Sequence, residues 1–237
     1  MFKKVFCSVI AASVFSMQPQ TTPAPFDYPD AKKVDQVDDY HGTKVADPYR
    51  WLENPDSPAS RAWIDAQNKI TFDFLGKIPA REKIKERLTD LWNYERFGVP
   101  FKEGQRYFIS RNDGLQNQSV LYTMDTLSEE PRVLLDPNKL SADGTVALKG
   151  YAITEDGEYM AYGTSSAGSD WEEWRVKRVS TGEDTDDRLN WVKFSGASWT
   201  HDGSGFFYSR YDEPKEGQKL QELNYYQKLF FHKRGTP

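Results

Sequence analysis

A chain of 237 residues with 38% hydrophobic, 28% charged and 14% aromatic residues is long enough to bury a sizeable core and too aromatic to stay unfolded. Its net charge of −5 comes without a basic stripe or tail, which argues against nucleic acid as a partner, and no apolar run reaches the roughly 20 residues of a membrane helix. A single cysteine excludes an intrachain disulfide.

The first 25 residues read as an address followed by a linker. Lys3 and Lys4 precede a short apolar run over 5–15, and Val14 and Ser16 are small enough for the −3 and −1 positions of a cleavage site. This pattern predicts a secretory signal peptide and a periplasmic or secreted protein, a cytoplasmic one being the alternative. Cys7 lies inside the apolar run and would leave with it. The Pro/Thr-rich stretch over 17–25 is a flexible lead-in.

Residues 39–58 are dense in turn formers, and Asp47-Pro48 and Asn54-Pro55 bias the chain away from helix, so a wrapped, extended segment is expected. A helix follows, with Asp56 or Ser57 as its cap, Pro58 in its first turn and Gly76 at its end. Ala59, Ala62, Trp63, Ala66 and Ile70 form its apolar face. A second helix is expected over 79–92, with Ile84, Leu88, Leu91 and Trp92 as its stripe. Both stripes read as packing surfaces. After residue 95 the pattern becomes short, alternating and β-rich, without a helix of ten residues or more. The predicted organisation is therefore 1–25 signal and linker, 26–94 helical segment, and 95–237 all-β region.

The β region repeats. ITEDGEYMAYGT (153–164) and WTHDGSGFFYSR (199–210) share a Thr-x-Asp-Gly turn followed by a strand, and their Asp-Gly pairs lie 46 residues apart. PFKEGQRYFISR (100–111) is a weaker copy with Glu-Gly. Leu121, Trp174 and Leu229 recur in a later strand, 53 and 55 residues apart. About three units of roughly 50 residues with four short strands each are what propeller blades show. Propellers close as rings of about 4–8 blades, so three leave two open edges, and the ring is expected to be incomplete. A simple antiparallel sandwich is the competing architecture.

Chemistry is harder to find. The elbow Gly-x-Ser-x-Gly is absent; GTSSAGSD (163–170) comes nearest and reads as a loop in a β repeat. His41, His201 and His232 are not at metal-ligand spacing, and no metal or cofactor is expected. Each reads as structural or exposed. The acidic run EDTDD (183–187) reads as a solvated hairpin tip.

The strings HGTKVADPYRWLENPDS (41–57), GLQNQSVLY (114–122), DPNKLSADGTVAL (136–148) and WVKFSGASWTHDGSGFFYS (191–209) closely resemble the prolyl oligopeptidase family, in order and from about Tyr28 onward. The first string alone is less specific, because oligopeptidase B carries something similar. The resemblance implies an N-terminal helical segment of an α/β-hydrolase domain, then a seven-bladed propeller of which about three blades lie here. The rest of the hydrolase domain, with a Ser, Asp and His triad, would come beyond the residues of this chain. It also implies Phe194 as an aromatic wall of the substrate pocket and Asp170 as an acidic residue facing the hydrolase domain, where it could pair with an arginine. No catalytic residue is expected within the chain. Short proline-containing peptides and the remaining blades and hydrolase domain are the implied partners. A non-catalytic β-rich binding module, or a sister peptidase cleaving after basic residues, are the alternatives.

Overall fold

The computed structural model describes residues 26–215, 219 and 223–236. The expected signal peptide, Cys7 and the linker lie outside them. The chain divides into two units between Glu82 and Lys83.

The N-terminal unit begins with a hairpin of β1 (Val37–Tyr40) and β2 (Thr43–Ala46). It turns at His41 and Gly42, both left-handed, with φ of 54° and 91°. A 3-10 turn follows at Arg50–Glu53. The stretch expected to be extended is thus a hairpin and a turn. Arg50 explains this: its guanidinium pairs with Asp38 on the hairpin, with Asp47 at 2.7 Å and with Glu53 at 3.4 Å. Helix α1 (Pro58–Gly76) starts where Ser57 accepts from the Ser60 N–H at 3.2 Å, and buried Ser60 donates onward to the Trp51 carbonyl at 3.0 Å. Trp63, Ala66 and Ile70 of its apolar face are half-buried, whereas Ala59 and Ala62 are exposed.

Helix α2 (Arg81–Trp92) straddles the division. Its predicted stripe does not pack: Ile84, Leu88, Leu91 and Trp92 all remain about half exposed. The spacing made the stripe legible, and its Trp92 end is met by the Arg96 guanidinium, 5.5 Å from the centre of the ring.

Strands then follow one another. The first sheet holds β3 (Arg96–Phe97) and β4 (Phe101–Glu103) along β5 (Arg106–Asn112), then β6 (Val120–Met124) and β7 (Arg132–Leu135). A 3-10 turn at Pro137–Lys139 leads out of it. The second set is an antiparallel meander of β8 (Val146–Ile153), β9 (Tyr159–Ser166), β10 (Glu172–Arg178) and β11 (Asp184–Val192). In the third set, β13 (Gly205–Arg210) lies between β12 (Ser198–Trp199) and β14 (Lys228–Lys233). One bridge, Val192 opposite Arg210, joins it to β11. The GTSSAGSD string splits accordingly, its first half finishing β9 and its second half turning at Ala167 and Gly168.

The repeat seen in the sequence is a repeat of geometry. In the second and third sets, Thr154 and Thr200 each donate to the Asp of their own turn, at 2.5 and 2.6 Å. Asp156 and Asp202 accept in turn from the backbone N–H groups of Glu158 and Ser204, at 2.9 and 3.0 Å. Gly157 and Gly203 supply the left-handed residue that such a turn needs, with φ of 74° and 63°, and Gly104 does the same in the first sheet, with φ of 55°. The later strand repeats as well. Leu121 stands opposite Ser110, Trp174 opposite Gly163 and Leu229 opposite Ser209, at the same remove from the turn glycine in every case.

Alternation along the strands sends one face of each sheet toward the sheet before it and the other toward the sheet after it. Phe108, Leu121, Leu134 and Leu135 of the first sheet meet Met160, Tyr162 and Val179 of the second. The other face of the second, with Ala161, Trp174 and Val176, meets Phe206 and Tyr208 of the third. Apolar side chains from consecutive sheets therefore form two successive cores. The acidic run is a solvated hairpin end only in part: Glu183, Asp184 and Asp186 are exposed, but the last residue is not. Its Asp187 is buried in β11, where it accepts from the Thr185 hydroxyl, the Gly235 N–H and the His232 imidazole at 2.6 to 2.7 Å.

Candidate functional site

The two residues singled out in the sequence come to one end of the second sheet. Strand β9 ends in the Ala167-Gly168 turn, which delivers Asp170 and Trp171 to the start of β10. Strand β11 arrives beside it. The β10–β11 register shifts between Glu172 and Trp174, and Trp191 takes a left-handed φ of 62°. Such an irregularity bends a strand and re-aims its side chains. Val192 is buried, Lys193 is 7% exposed and Phe194, with φ of 53°, is 62% exposed. An aromatic residue rarely tolerates positive φ, so the contacts around this turn must hold it there.

Those contacts are aromatic and polar. Trp171 lies edge-on to Trp191, with ring centroids 5.6 Å apart, and to Tyr211, at 6.2 Å. The Lys193 ammonium sits 3.9 Å from the centre of the Trp171 ring and donates to Asn224 Oδ1 at 3.1 Å. Gln227 donates to the Lys193 carbonyl at 2.9 Å, and the Tyr211 N–H to the Trp191 carbonyl at 3.1 Å. The Ser195 hydroxyl accepts from the Ser209 N–H at 2.8 Å, closing the turn on β13.

Beside the Trp pair runs a cleft of about 460 Å³, floored by Tyr162 and walled by Glu172, Glu173, Arg175 and Asp184. Its charges are largely spoken for. Arg175 pairs with Glu173 at 2.6 Å and Lys177 with Asp184 at 2.8 Å, while the Tyr162 hydroxyl donates to Asp184 at 2.9 Å. Burial, then the Asp184 carboxylate, pushes the Tyr162 phenol up. Burial also raises Glu172, although the indole N–H of Trp174 partly offsets this, and the charge of Asp170 adds to the rise. Asp170 itself is exposed on the turn. The histidines stand elsewhere: His201 meets Glu155 at 2.5 Å, and His232 is buried against Asp187. A surface of this kind can bind an apolar or aromatic group against Phe194 and the indoles, with carboxylates near by. Sequence reasoning missed Trp171, Trp191, Lys193 and Asn224. The Trp residues in SDW (169–171) and NWVKF (190–194), next to both predicted site residues, were the available signal.

Antiparallel sheets that stack face to face, each opening on the same Gly-punctuated turn, define a protein of the β-propeller class. The model of the "Prolyl oligopeptidase, N-terminal beta-propeller domain" matches residues 29–237, and the chain belongs to that family. It is 46% identical over 209 residues to the prolyl endopeptidase of Elizabethkingia meningoseptica, covering 88% of this chain and 29% of that protein. With the prolyl endopeptidase of Elizabethkingia miricola it shares 43% over 235 residues, covering 99% and 33%. One solved prolyl endopeptidase superposes with a TM-score of 0.76 at 33% identity, over 88% of this chain and 31% of that one. Prolyl oligopeptidase B of Galerina marginata, bound to a 35-residue hydrolysis and macrocyclization substrate, superposes with 0.72 at 29% identity, over 91% and 33%. The chain thus spans roughly a third of the length of these relatives.

Proposed function

We propose that this chain forms the N-terminal helical segment and about three blades of the gating propeller in a serine-type oligopeptidase that cleaves short peptides after proline. In this reading 26–94 belongs with an α/β-hydrolase domain and 95–237 is part of a seven-bladed ring. One observation carries it. The repeated position that faces the following sheet is 2% exposed at Leu121 and 3% at Trp174, but 72% at Leu229. Phe207 and Phe231 share that open face, with rings 5.1 Å apart. The opposite flank, on the first sheet, holds an apolar recess lined by Phe97, Ile109, Tyr122 and Leu127. Two apolar flanks of one sheet stack fit further blades on either side.

The chemistry assigned to the whole peptidase is acyl transfer, in which a serine attacks the carbonyl after proline with histidine as general base. Phe194 supplies apolar area for the peptide side chain next to the proline, and Asp170 faces the hydrolase domain, where it pairs with an arginine. A periplasmic or secreted location goes with the reading of residues 1–25 as a signal peptide. The test uses the product of the complete reading frame with chromogenic Gly-Pro and Lys or Arg substrates. Cleavage after Gly-Pro supports the proposal, and cleavage only after the basic residues overturns it. Residues 26–237 made alone are expected to be inactive; post-proline hydrolysis by them, blocked by a serine-directed inhibitor, would contradict the division of labour.

A further inference from the structure

We propose that Lys193 is a positioning residue for Phe194, fixing the substrate-facing turn through its buried contact with the Trp171 ring. The proposal rests on Phe194 being a pocket wall.

Lys193 is only 7% exposed, yet among the described residues it makes no ion pair. Its ammonium is engaged by an indole face at 3.9 Å and by the Asn224 amide oxygen at 3.1 Å. Burial of an ammonium is costly unless such partners replace water, and attraction to an indole face strengthens as water is removed. The location of this contact suggests its role. Phe194 holds a left-handed φ of 53° while its ring is 62% exposed, so its own packing does little to fix the turn. Its neighbours hold it instead. Val192 is clamped between Glu172 and Arg210, and Ser195 is tied to the Ser209 N–H. Between those anchors, Lys193 is bound at both ends, its carbonyl by Gln227 at 2.9 Å and its ammonium by Trp171 and Asn224. Trp171 follows Asp170 directly and is braced by Trp191 and Tyr211. Lys193 therefore links the turn that carries Phe194 to the turn that carries Asp170. If the contact is lost, Phe194 loses its fixed direction, and only ligands that reach its ring should notice.

The experiment compares two post-proline substrates in the whole peptidase, identical except that one carries an aromatic group ahead of Gly-Pro. Phe194→Ala calibrates the pocket: KM for the longer substrate should rise about tenfold and KM for the shorter one should stay put. Lys193→Met keeps the stem and removes the charge. It should raise KM for the longer substrate by about fivefold at unchanged kcat, Lys193→Arg should restore most of the difference, and Asn224→Ala should shift it about twofold in the same direction. A Phe194→Ala effect without a matching one in Lys193→Met and Asn224→Ala overturns the positioning role and leaves the pocket wall intact. Equal KM changes for both substrates, or a fall in kcat alone, likewise overturn it in favour of a purely structural lysine. No effect of Phe194→Ala removes the pocket reading and the proposal with it.

Discussion

Two seams join the three strand sets, and they are built differently from the same repeat. Between the first and second sheets, Phe108 stacks on Phe101 at 5.3 Å inside an apolar core, and the polar contacts sit at its margin. There Arg106 reaches the Gly157 carbonyl at 2.9 Å and Glu158 at 2.5 Å, and Arg132 reaches the Val179 carbonyl at 2.8 Å. Between the second and third sets, Phe206 packs in one core with Ala161, Trp174 and Val176, and a buried carboxylate, Asp187, draws in donors from β11, β14 and the turn after it. The Trp199 indole N–H donates to the Ala152 carbonyl at 3.0 Å, and Arg234 lies 3.7 Å above the Tyr159 ring. Among the described residues, only the second seam is bridged by strand pairing, at Val192 and Arg210. An arginine such as Arg106 can hold a carbonyl and a carboxylate from the edge of an interface while staying partly hydrated. A carboxylate in the interior is costly unless hydrogen-bond donors replace its water. The comparison shows that a repeat conserves the turn and the register while leaving the adhesive between neighbours open.

The largest effect is expected from the core of the second seam. Phe206→Ala removes a ring that is 0% exposed and contacts Trp199, Tyr208 and His232, and should cost about 3–5 kcal/mol in a denaturant titration. Next, Asp187→Ala takes the acceptor away from the buried His232 imidazole and from the Gly235 N–H, while the Thr185 hydroxyl keeps the Val176 carbonyl, and should cost about 2–3 kcal/mol at neutral pH. Burial pushes the Asp187 carboxyl up, but hydrogen bonds from Thr185, His232 and Gly235 outweigh it and hold the group below its ordinary 3.8. Its contribution is therefore complete above pH 3.8 and declines as pH falls further, because the unfolded chain then takes up a proton that the folded carboxylate refuses. The gap between wild type and Asp187→Ala should narrow as acid melts are run below pH 3.8, and a constant gap would remove the buried charge from the account.

Gly104→Ala probes the first seam. A Cβ there would run into the Asp156 carbonyl of the neighbouring sheet, and the residue has φ of 55°. It should lose about 2 kcal/mol or more, against about 1 kcal/mol for Gly42→Ala, which has positive φ but open space. Equal losses would mean that backbone conformation, not the approach of the sheets, accounts for the glycine. Arg106→Ala at the margin should be the mildest, about 1 kcal/mol by thermal melt, because its Glu158 partner is 41% exposed and water screens the pair.

Much of this was legible before any coordinates. The Ser57 cap, the ends of α1, the run of short strands that the described residues show after residue 95 and the Thr-x-Asp-Gly turns are local, and local hydrogen bonding and backbone preference decide them. Family membership was legible for the same reason, since ordered strings survive in the primary sequence. Residues 183–187 could not be judged so. Whether Asp187 meets water or His232 depends on a strand 45 residues away. The apolar stripe of α2 was visible from its spacing, but spacing does not say whether a partner covers it. Likewise, the Trp171–Lys193 contact joins two strand ends that only sheet pairing brings together. Sequence periodicity by itself determined the strands, the turns and their repeat, because these are set within a few residues. The tertiary structure alone decided which faces are glued by arginine, which by a buried carboxylate, and which turn presents Phe194, because burial and pairing are properties of neighbours distant along the chain.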